Sequence, residues 1–361
     1  LKVAILEFIC GSGLARYQTI DGKNHPMNAL LSEGSAMLLA LTNDMLDAGV
    51  DVHSPLEPSI AAWIQRRTRS DHRGTWSPVP FDNQRSIDEV ASHWIDSAAG
   101  CDAAIVIAPE LDGILEEIIV RLRREGIVVL AGDTPFLGTA CDQWKTCEAW
   151  RTANVRHPET NLLGDFLRSH PEQFEGSNWL VKRRDSAGCV GMRRFENRDR
   201  FEWEAMQSWA LDLPQDRWVV QPWVPGTAAS LAVLVGDEVR VLGAFEQRLE
   251  PSIEGSETVW GYYGGTGPIP GVTQSSLETF AQRVLQAIPG KPSGWIGIDF
   301  IIEPDGQWCA VEINPRLTTS YLGYRQWYGH LLASCWTRGN SPPQELQEFP
   351  RVFFSVDGFE G

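Results

Sequence analysis

The stretch Ile296-Gly297-Ile298-Asp299-Phe300-Ile301-Ile302-Glu303-Pro304-Asp305-Gly306-Gln307-Trp308-Cys309-Ala310-Val311-Glu312-Ile313-Asn314-Pro315-Arg316 holds two apolar runs joined at Asp305-Gly306. An Asp-Gly pair between strand-forming residues is a strong two-residue turn signal, so the segment reads as a hairpin with strands Gly294 to Ile302 and Trp308 to Asn314. Closing the strands at that turn sets Asp299 directly opposite Glu312. Side chains alternate along a strand, so Glu312 and Asn314 share one face, and Gly297, opposite Asn314, leaves room there. A four-residue loop centred on the same pair keeps this register, whereas a bulge would shift it.

Two carboxylates facing each other across a ladder repel unless something positive lies between them. Mg²⁺ answers that need, since it takes hard oxygen ligands, usually one or two carboxylates completed by phosphates and water, and an Asn oxygen suits it too. The alternative is an exposed polar face on which both acids meet water. Pro315-Arg316 adds a cation just beyond the strand and favours the metal reading.

Upstream of the hairpin the chain divides in character. Lys2 to Leu6 is a short apolar run that ends near Gly11-Ser12-Gly13, a buried strand feeding a glycine-rich loop. Asn28 to Ala48 carries apolar residues at helical spacing and stops at Gly49. Val50 to His53 is then a strand, Ala103 to Ala108 a second apolar run, Leu111 to Glu125 a helix, and Ile127 to Ala131 a third run. This alternation predicts a parallel sheet covered by helices over the first 135 residues. Residues 66 to 90, rich in Arg, Ser, Asp and Pro, read as a long surface excursion. After Asp133-Thr134-Pro135 a helix is expected from Cys141 to Thr152, then strands at Trp179 to Arg184, Trp218 to Trp223, Ala229 to Val235 and Arg240 to Phe245. Gly236-Asp237 marks a hairpin between the last two. The segment 251 to 271 reads as a flexible Gly- and Pro-rich loop, followed by a helix from Ser275 to Ile288. The latter half is thus α+β with antiparallel pairs.

The 361 residues are 43% hydrophobic and 22% charged, ordinary for a folded globular chain. A net charge of -16 repels polyphosphate backbones and anionic lipid heads, so nucleic acid and membrane surfaces are not expected partners. The seven cysteines are scattered and form no Cys-x-x-Cys pair, which disfavours disulfide scaffolding and a zinc ribbon. No apolar run approaches the ~20 residues that span a bilayer, and a cytoplasmic location is expected.

Metals that hold phosphates need cations and backbone amides close by. The candidates are Lys145, Lys182 in the strand Trp179-Leu180-Val181-Lys182, and the loop Asp185-Ser186-Ala187-Gly188-Cys189-Val190-Gly191, whose small residues let backbone N–H groups approach phosphate. Lys182 could otherwise be a strand-edge lysine reaching water. The loop is no Walker motif, and Gly11-Ser12-Gly13 lacks the third glycine of a dinucleotide fingerprint.

In this order the residues resemble the ATP-grasp superfamily: Asp142 to Lys145, Leu180-Val181-Lys182 with its Gly loop, Val219-Val220-Gln221-Pro222-Trp223-Val224-Pro225-Gly226, and Asp299 with Glu312-Ile313-Asn314-Pro315-Arg316. The resemblance implies that Lys145 and Lys182 contact ATP, that the loop with Asp185, Ser186 and Gly188 covers the phosphates, and that Gln221, Pro222, Trp223 and Val224 form the adenine hinge. It further implies that Asp299, Glu312 and Asn314 bind Mg²⁺ (or Mn²⁺) and that Arg316, with Lys182, serves the transferred phosphoryl group. Gln143 stands where many members carry Lys, and Gln221 where an acidic residue is frequent. The implied architecture is a pre-ATP-grasp domain over 1–135, a nucleotide subdomain over 136–225, a metal and substrate subdomain over 226–345, and a tail over 346–361.

Within the superfamily the chain looks most like the tyramine-glutamate ligase group of methanofuran-type cofactor biosynthesis. The supporting stretches are Leu31-Ser32-Glu33-Gly34-Ser35-Ala36-Met37, Ile107-Ala108-Pro109-Glu110, Asp142-Gln143-Trp144-Lys145-Thr146 and Asn314-Pro315-Arg316-Leu317-Thr318-Thr319-Ser320. Glu33, Glu110, Arg248 and Arg316 are the candidate substrate residues, acting on small molecules. Gly34 could equally serve close packing, Glu110 a helix N-terminus, and Arg248 the surface. The expected reaction joins a carboxylate to an amine through an acyl-phosphate. Alternatives are an ATP-dependent small-molecule kinase and a non-catalytic ATP-binding module. A glycosidase fits poorly, because opposed strand residues have Cβ atoms only about 4.5–5.5 Å apart. Segment 252–271 is a lid candidate or a linker, and a homodimer is left open.

Overall fold

The computed structural model describes residues 1–11, 26–81, 86–169, 178–186, 191–196, 200–211, 213–254, 257–338 and 349–358. It opens with β1 (Lys2–Glu7), α1 (Pro26–Asp47), β2 (Asp51–Leu56), α2 (Pro58–Gln65), β3 (Trp76–Pro80), α3 (Ile87–Ala98), β4 (Ala103–Ile107) and α4 (Ile114–Arg124). The four strands form a parallel sheet in the order β3-β2-β1-β4. Val3 to Leu6 are fully buried, as a central parallel strand covered on both faces requires. Gly49 ends α1 in the left-handed region at φ 74°. Of the loop Gly11-Ser12-Gly13, the last two residues lie outside the described residues.

Two expectations for this region need correction. The span 66 to 90 is not one surface excursion, because it contains β3 and the start of α3. Pro78 and Pro80 disguise the strand in sequence, yet they are tolerated because β3 is the sheet edge. The run Ile127 to Ala131 is not a full strand but makes two isolated bridges, a parallel one from Ala104 to Val129 and an antiparallel one from Ala131 to Gly294. The Arg123 guanidinium takes the carbonyls of Ala131 and Gly132 at 2.7 and 2.8 Å, and so replaces ladder partners there.

The chain continues through α5 (Thr134–Ala140), α6 (Gln143–Thr152), β5 (Asn161–Leu162), α7 (Leu163–Arg168), β6 (Asn178–Arg183), β7 (Arg193–Glu196), α8 (Arg200–Ala210) and β8 (Trp218–Pro222). It then forms β9 (Thr227–Val235), β10 (Val239–Glu254), β11 (Glu257–Gly267), α9 (Gln274–Gln286), β12 (Gly294–Ile302), β13 (Trp308–Asn314), α10 (Tyr321–Tyr328), α11 (Leu331–Arg338) and β14 (Val352–Ser355). The expected Cys141–Thr152 helix starts two residues later, since Asp142 caps α6 by accepting from the Trp144 and Lys145 amides. The second sheet is antiparallel, with order β13-β12-β9-β10-β11-β7-β6-β8-β5 and β14 alongside β11. The architecture is therefore an N-terminal parallel sheet followed by antiparallel sheet and helices.

The segment 251 to 271 is not one loop, since 251–254 and 257–267 are strand. β10 runs on to Glu254 and pairs with β11 from Glu246–Thr266 to Glu254–Glu257, with one register shift between Gln247 and Leu249. Its glycines serve close packing: a Cβ on Gly265 would lie 2.8 Å from the Glu246 carbonyl oxygen and 2.9 Å from the Phe354 ring, and one on Gly267 2.7 Å from the Phe245 ring. Glycine content that suggests flexibility in sequence here marks a crowded sheet.

One contact settles where α1 lies. Asp44, buried at 3% exposure of its side chain, receives Arg325 at 2.9 and 3.1 Å and the Tyr321 hydroxyl at 2.8 Å. That network ties α1 to α10 and sets Glu33 of α1 beside the residues that follow β13. No helix among the described residues is long and apolar enough to cross a membrane.

Candidate active site

β12 and β13 pair Gly297 with Asn314, Ile298 with Ile313 and Asp299 with Glu312. The register expected from the turn is present, but not by the expected route. Near the turn the pairs are Ile302–Trp308, Ile301–Cys309 and Phe300–Ala310, one residue out of step with the carboxylate end. The connection is longer than two residues: the Glu303 amide donates to Gln307 O and the Gly306 amide to Glu303 O, with Gly306 at φ 82°. Val311 is then an extra residue, a β-bulge that restores the step. Without it Asp299 would face Val311, and Glu312 would turn with Ala310 toward the opposite face, where Phe300 packs on Phe280.

A cavity of about 500 Å³ opens over this hairpin. Asp299, Glu312 and Asn314 line it, together with Lys182, Ser186, Gln221, Pro222, Trp223, Val224, Glu33 and Arg316. Lys182 is 4% exposed, and its Nζ lies 3.2 Å from Glu312 Oε2, so the strand lysine points into the cavity rather than to water. Asp299 is held on both oxygens: Gln247 Nε2 donates to Oδ1 and Asn314 Nδ2 to Oδ2, each at 3.2 Å. Burial, and next the negative Glu312, push the Asp299 carboxyl up to about 6, with Ser230, Asn314 and Lys182 working the other way. The acids thus form a pair short of positive charge. A Cβ on Gly297 would meet the Thr318 methyl at 2.7 Å, so the space left there is filled from beyond the strand.

Arg316 is clamped in two-pronged fashion by Glu110, Nε to Oε1 at 2.9 Å and Nη2 to Oε2 at 3.0 Å. Burial opposes its charge, but Glu110, Glu33 and Glu312 outweigh it and raise the guanidinium further. Burial raises Glu110 in turn. Glu110 itself does not line the cavity; it orients Arg316, which does. Glu33 accepts from the Thr319 hydroxyl, and burial raises its carboxyl.

Besides Glu110, three expected site residues stand apart from the cavity. Lys145 is exposed on α6 and donates from Nζ to the Gly138 carbonyl at 2.9 Å, because the helix turns it away from β13. Asp185 is drawn into a clasp with Arg183 at 2.9 Å and Arg217 at 2.6 Å and accepts the Asp112 amide at 2.8 Å. Those cations hold its carboxyl below the usual range despite burial. Arg248 lies over the rings of Tyr263 and Phe353 and pairs with Glu250 at 3.2 Å. Gly188 lies outside the described residues. Gln221 lines the cavity, but its side-chain amide is buried and donates to the Thr160 hydroxyl at 2.9 Å.

Sequence reasoning missed Ser230 and Gln247, which support Asp299, and the wall formed by Leu249, Trp260 and Tyr262 from the β10–β11 hairpin. Ser230 within an apolar strand was the available signal. Gln247 had none without the strand pairing.

Comparison with known families matches residues 140–320 to an ATP-grasp domain and residues 59–135 to a pre ATP-grasp 3 domain. The chain belongs to the ATP-grasp superfamily. Among solved structures it is similar to an ATP-grasp superfamily protein from Archaeoglobus fulgidus, with 19% identity, 98% of this chain and 92% of that one covered, and a TM-score of 0.65. It is also similar to a biotin carboxylase–β,γ-ATP complex from Campylobacter jejuni (14% identity, 95% and 72% covered, TM-score 0.63). D-alanine–D-alanine ligase from Bacillus anthracis matches as well (13% identity, 88% and 87% covered, TM-score 0.54). At these identities the likeness concerns the fold. Among curated proteins nothing matches.

Proposed function

We propose that this chain is an ADP-forming ligase that joins a carboxylate to an amine. The observation that carries the reading is the opposed pair Asp299–Glu312 in one cavity with Lys182, Arg316 and the hinge residues Gln221 to Val224.

Among the described residues no group of three or more His, Cys, Asp and Glu could hold a metal by itself. Asp299, Glu312 and the Asn314 amide oxygen are instead an incomplete set of hard oxygen donors, which suits Mg²⁺ or Mn²⁺ completed by phosphate oxygens. Such an ion, when bound, neutralises charge on the transferring phosphoryl group. Lys182, already desolvated against Glu312, offers a point charge to the phosphates. Arg316, immobilised by Glu110, offers N–H donors in a preset orientation, so little is reorganised as charge develops. A carboxylate oxygen of the first substrate attacks the γ-phosphorus and ADP leaves; the amine nitrogen then attacks the acyl carbon and inorganic phosphate leaves. This chemistry rests on positioning and charge, and requires no nucleophilic side chain.

Glutamate as the acid and tyramine or a tyrosine-like amine as the acceptor are proposed from the resemblance of Leu31–Met37 and Asn314–Ser320 to the tyramine-glutamate ligase group. The half-buried Glu33 carboxylate suits an ammonium group, and the Trp260 and Tyr262 wall suits an aromatic ring. Screening amino acids against aromatic amines for ADP release, with product mass, tests the pair. Glu312→Ala should abolish ADP release; turnover like that of the wild type refutes the assignment.

A further inference from the structure

The bulge at Val311 decides which face Glu312 occupies, so whatever holds the bulge controls the metal pair. β13 is the outermost strand of its sheet, and its free edge needs partners for backbone groups that no neighbouring strand takes. Two come from outside the sheet. The Ala310 amide donates to Arg156 O at 2.9 Å, and the Val311 carbonyl accepts from Gln143 Nε2 at 2.6 Å. Gln143 is 5% exposed, is the first residue of α6, and is anchored through its own amide to Arg184 O at 2.7 Å. A carbonyl oxygen only accepts, so the amide nitrogen must face it, and the side chain's role here is that of a donor.

From this geometry we infer that Gln143 is a positioning residue: by donating to the Val311 carbonyl it locks the bulge and thereby turns Glu312 toward Asp299. The inference rests on the ligase reading, in which Asp299 and Glu312 share a divalent ion. Removing the donor leaves a half-buried carbonyl without its side-chain partner, and straightening β13 relieves it. Straightening by one residue carries Glu312 to the Phe300 face and leaves Asp299 opposite a valine. Gln143 touches neither nucleotide nor acceptor in this account, so its loss should affect metal binding and spare metal-free nucleotide binding.

The test uses the full chain and a nonhydrolysable ATP analogue, with Mn²⁺ titrated by electron paramagnetic resonance. Three variants are compared with wild type: Gln143→Met, of similar length without a donor; Gln143→Glu, of similar shape but an acceptor; and Gln143→Lys, which keeps a donor. Met and Glu should weaken Mn²⁺ by about tenfold or more, while Lys stays within about threefold and metal-free analogue affinity is unchanged in all. Thermal melts identify any variant that fails to fold, and if Met is lost the Glu and Lys pair still discriminates. Unchanged Mn²⁺ affinity in Gln143→Met or Gln143→Glu, or an equal loss in Gln143→Lys, overturns the inference alone. A wild-type chain that binds no Mn²⁺ with the analogue overturns the ligase reading and this inference with it.

Discussion

Glu7, the last residue of β1, is buried and stores a pH-dependent cost. Its carboxylate accepts the Cys10 amide at 2.6 Å, and a Cβ on Gly34 would lie 2.7 Å from its Oε1, so α1 packs directly on it. Burial, the dominant cause, raises its carboxyl from 4.5 to about 7; the Cys10 and Ile9 hydrogen bonds work the other way, and the negative Glu33 adds to the rise. A folded value above the unfolded one means that the stabilising contribution is complete below 4.5 and is lost as pH climbs through about 7. At ~1.4 kcal/mol per pH unit, that interval amounts to ~3 kcal/mol. Glu7→Gln keeps an oxygen for the Cys10 amide and removes the ionisation. Urea unfolding of both proteins at pH 4.5 and pH 8 isolates Glu7 together with its coupling to Glu33, since groups that do not interact with Glu7 cancel in the difference. The variant should gain ~3 kcal/mol relative to wild type on going from the lower to the higher pH. A difference that stays constant to within ~0.5 kcal/mol refutes the account of a carboxyl forced to ionise in the interior.

Other perturbations read the site directly. Glu110→Gln removes one half of the buried clamp on Arg316 and should cost ~3–5 kcal/mol of stability by denaturant unfolding, together with most ADP release. Trp260→Ala removes part of the cavity wall and should raise the KM for an aromatic amine by about tenfold, with analogue binding retained; an unchanged KM places the acceptor elsewhere. Glu312→Ala and the Gln143 series test the carboxylate hairpin, the first through turnover and the second through metal affinity.

Much of this was legible along the chain because it is local. Asp305-Gly306 between apolar runs announces a hairpin, and period-two alternation places Glu312 and Asn314 on one face whatever surrounds them. Lys182 in an apolar strand beside a small-residue loop likewise carries its signal within a few residues. The hairpin also shows how such a reading can succeed for an incomplete reason. The turn is longer than two residues and Val311 is inserted, and the two departures cancel at Asp299. Nothing within the hairpin's own sequence reveals the bulge, because its partner, Gln143, is 168 residues away.

The misreadings share that cause. Glycines at 264, 265 and 267 look like a mobile loop until β14 and the Phe245 and Phe354 rings are laid against them. Lys145, Asp185 and Arg248 looked suited to a site by residue type, but Gly138, the Arg183–Arg217 clasp and the Tyr263–Phe353 pair engage them elsewhere. Conversely, Gln247 and Ser230 gain meaning only when β9 and β10 bring them beside Asp299. The amino-acid order by itself determined the layered α/β start, the antiparallel continuation and the carboxylate hairpin, since turn chemistry and periodicity act over a few residues. Which charged groups converge on one cavity, and which face Glu312 takes, was decided only in the tertiary structure, where partners distant in the chain compete for each donor and acceptor.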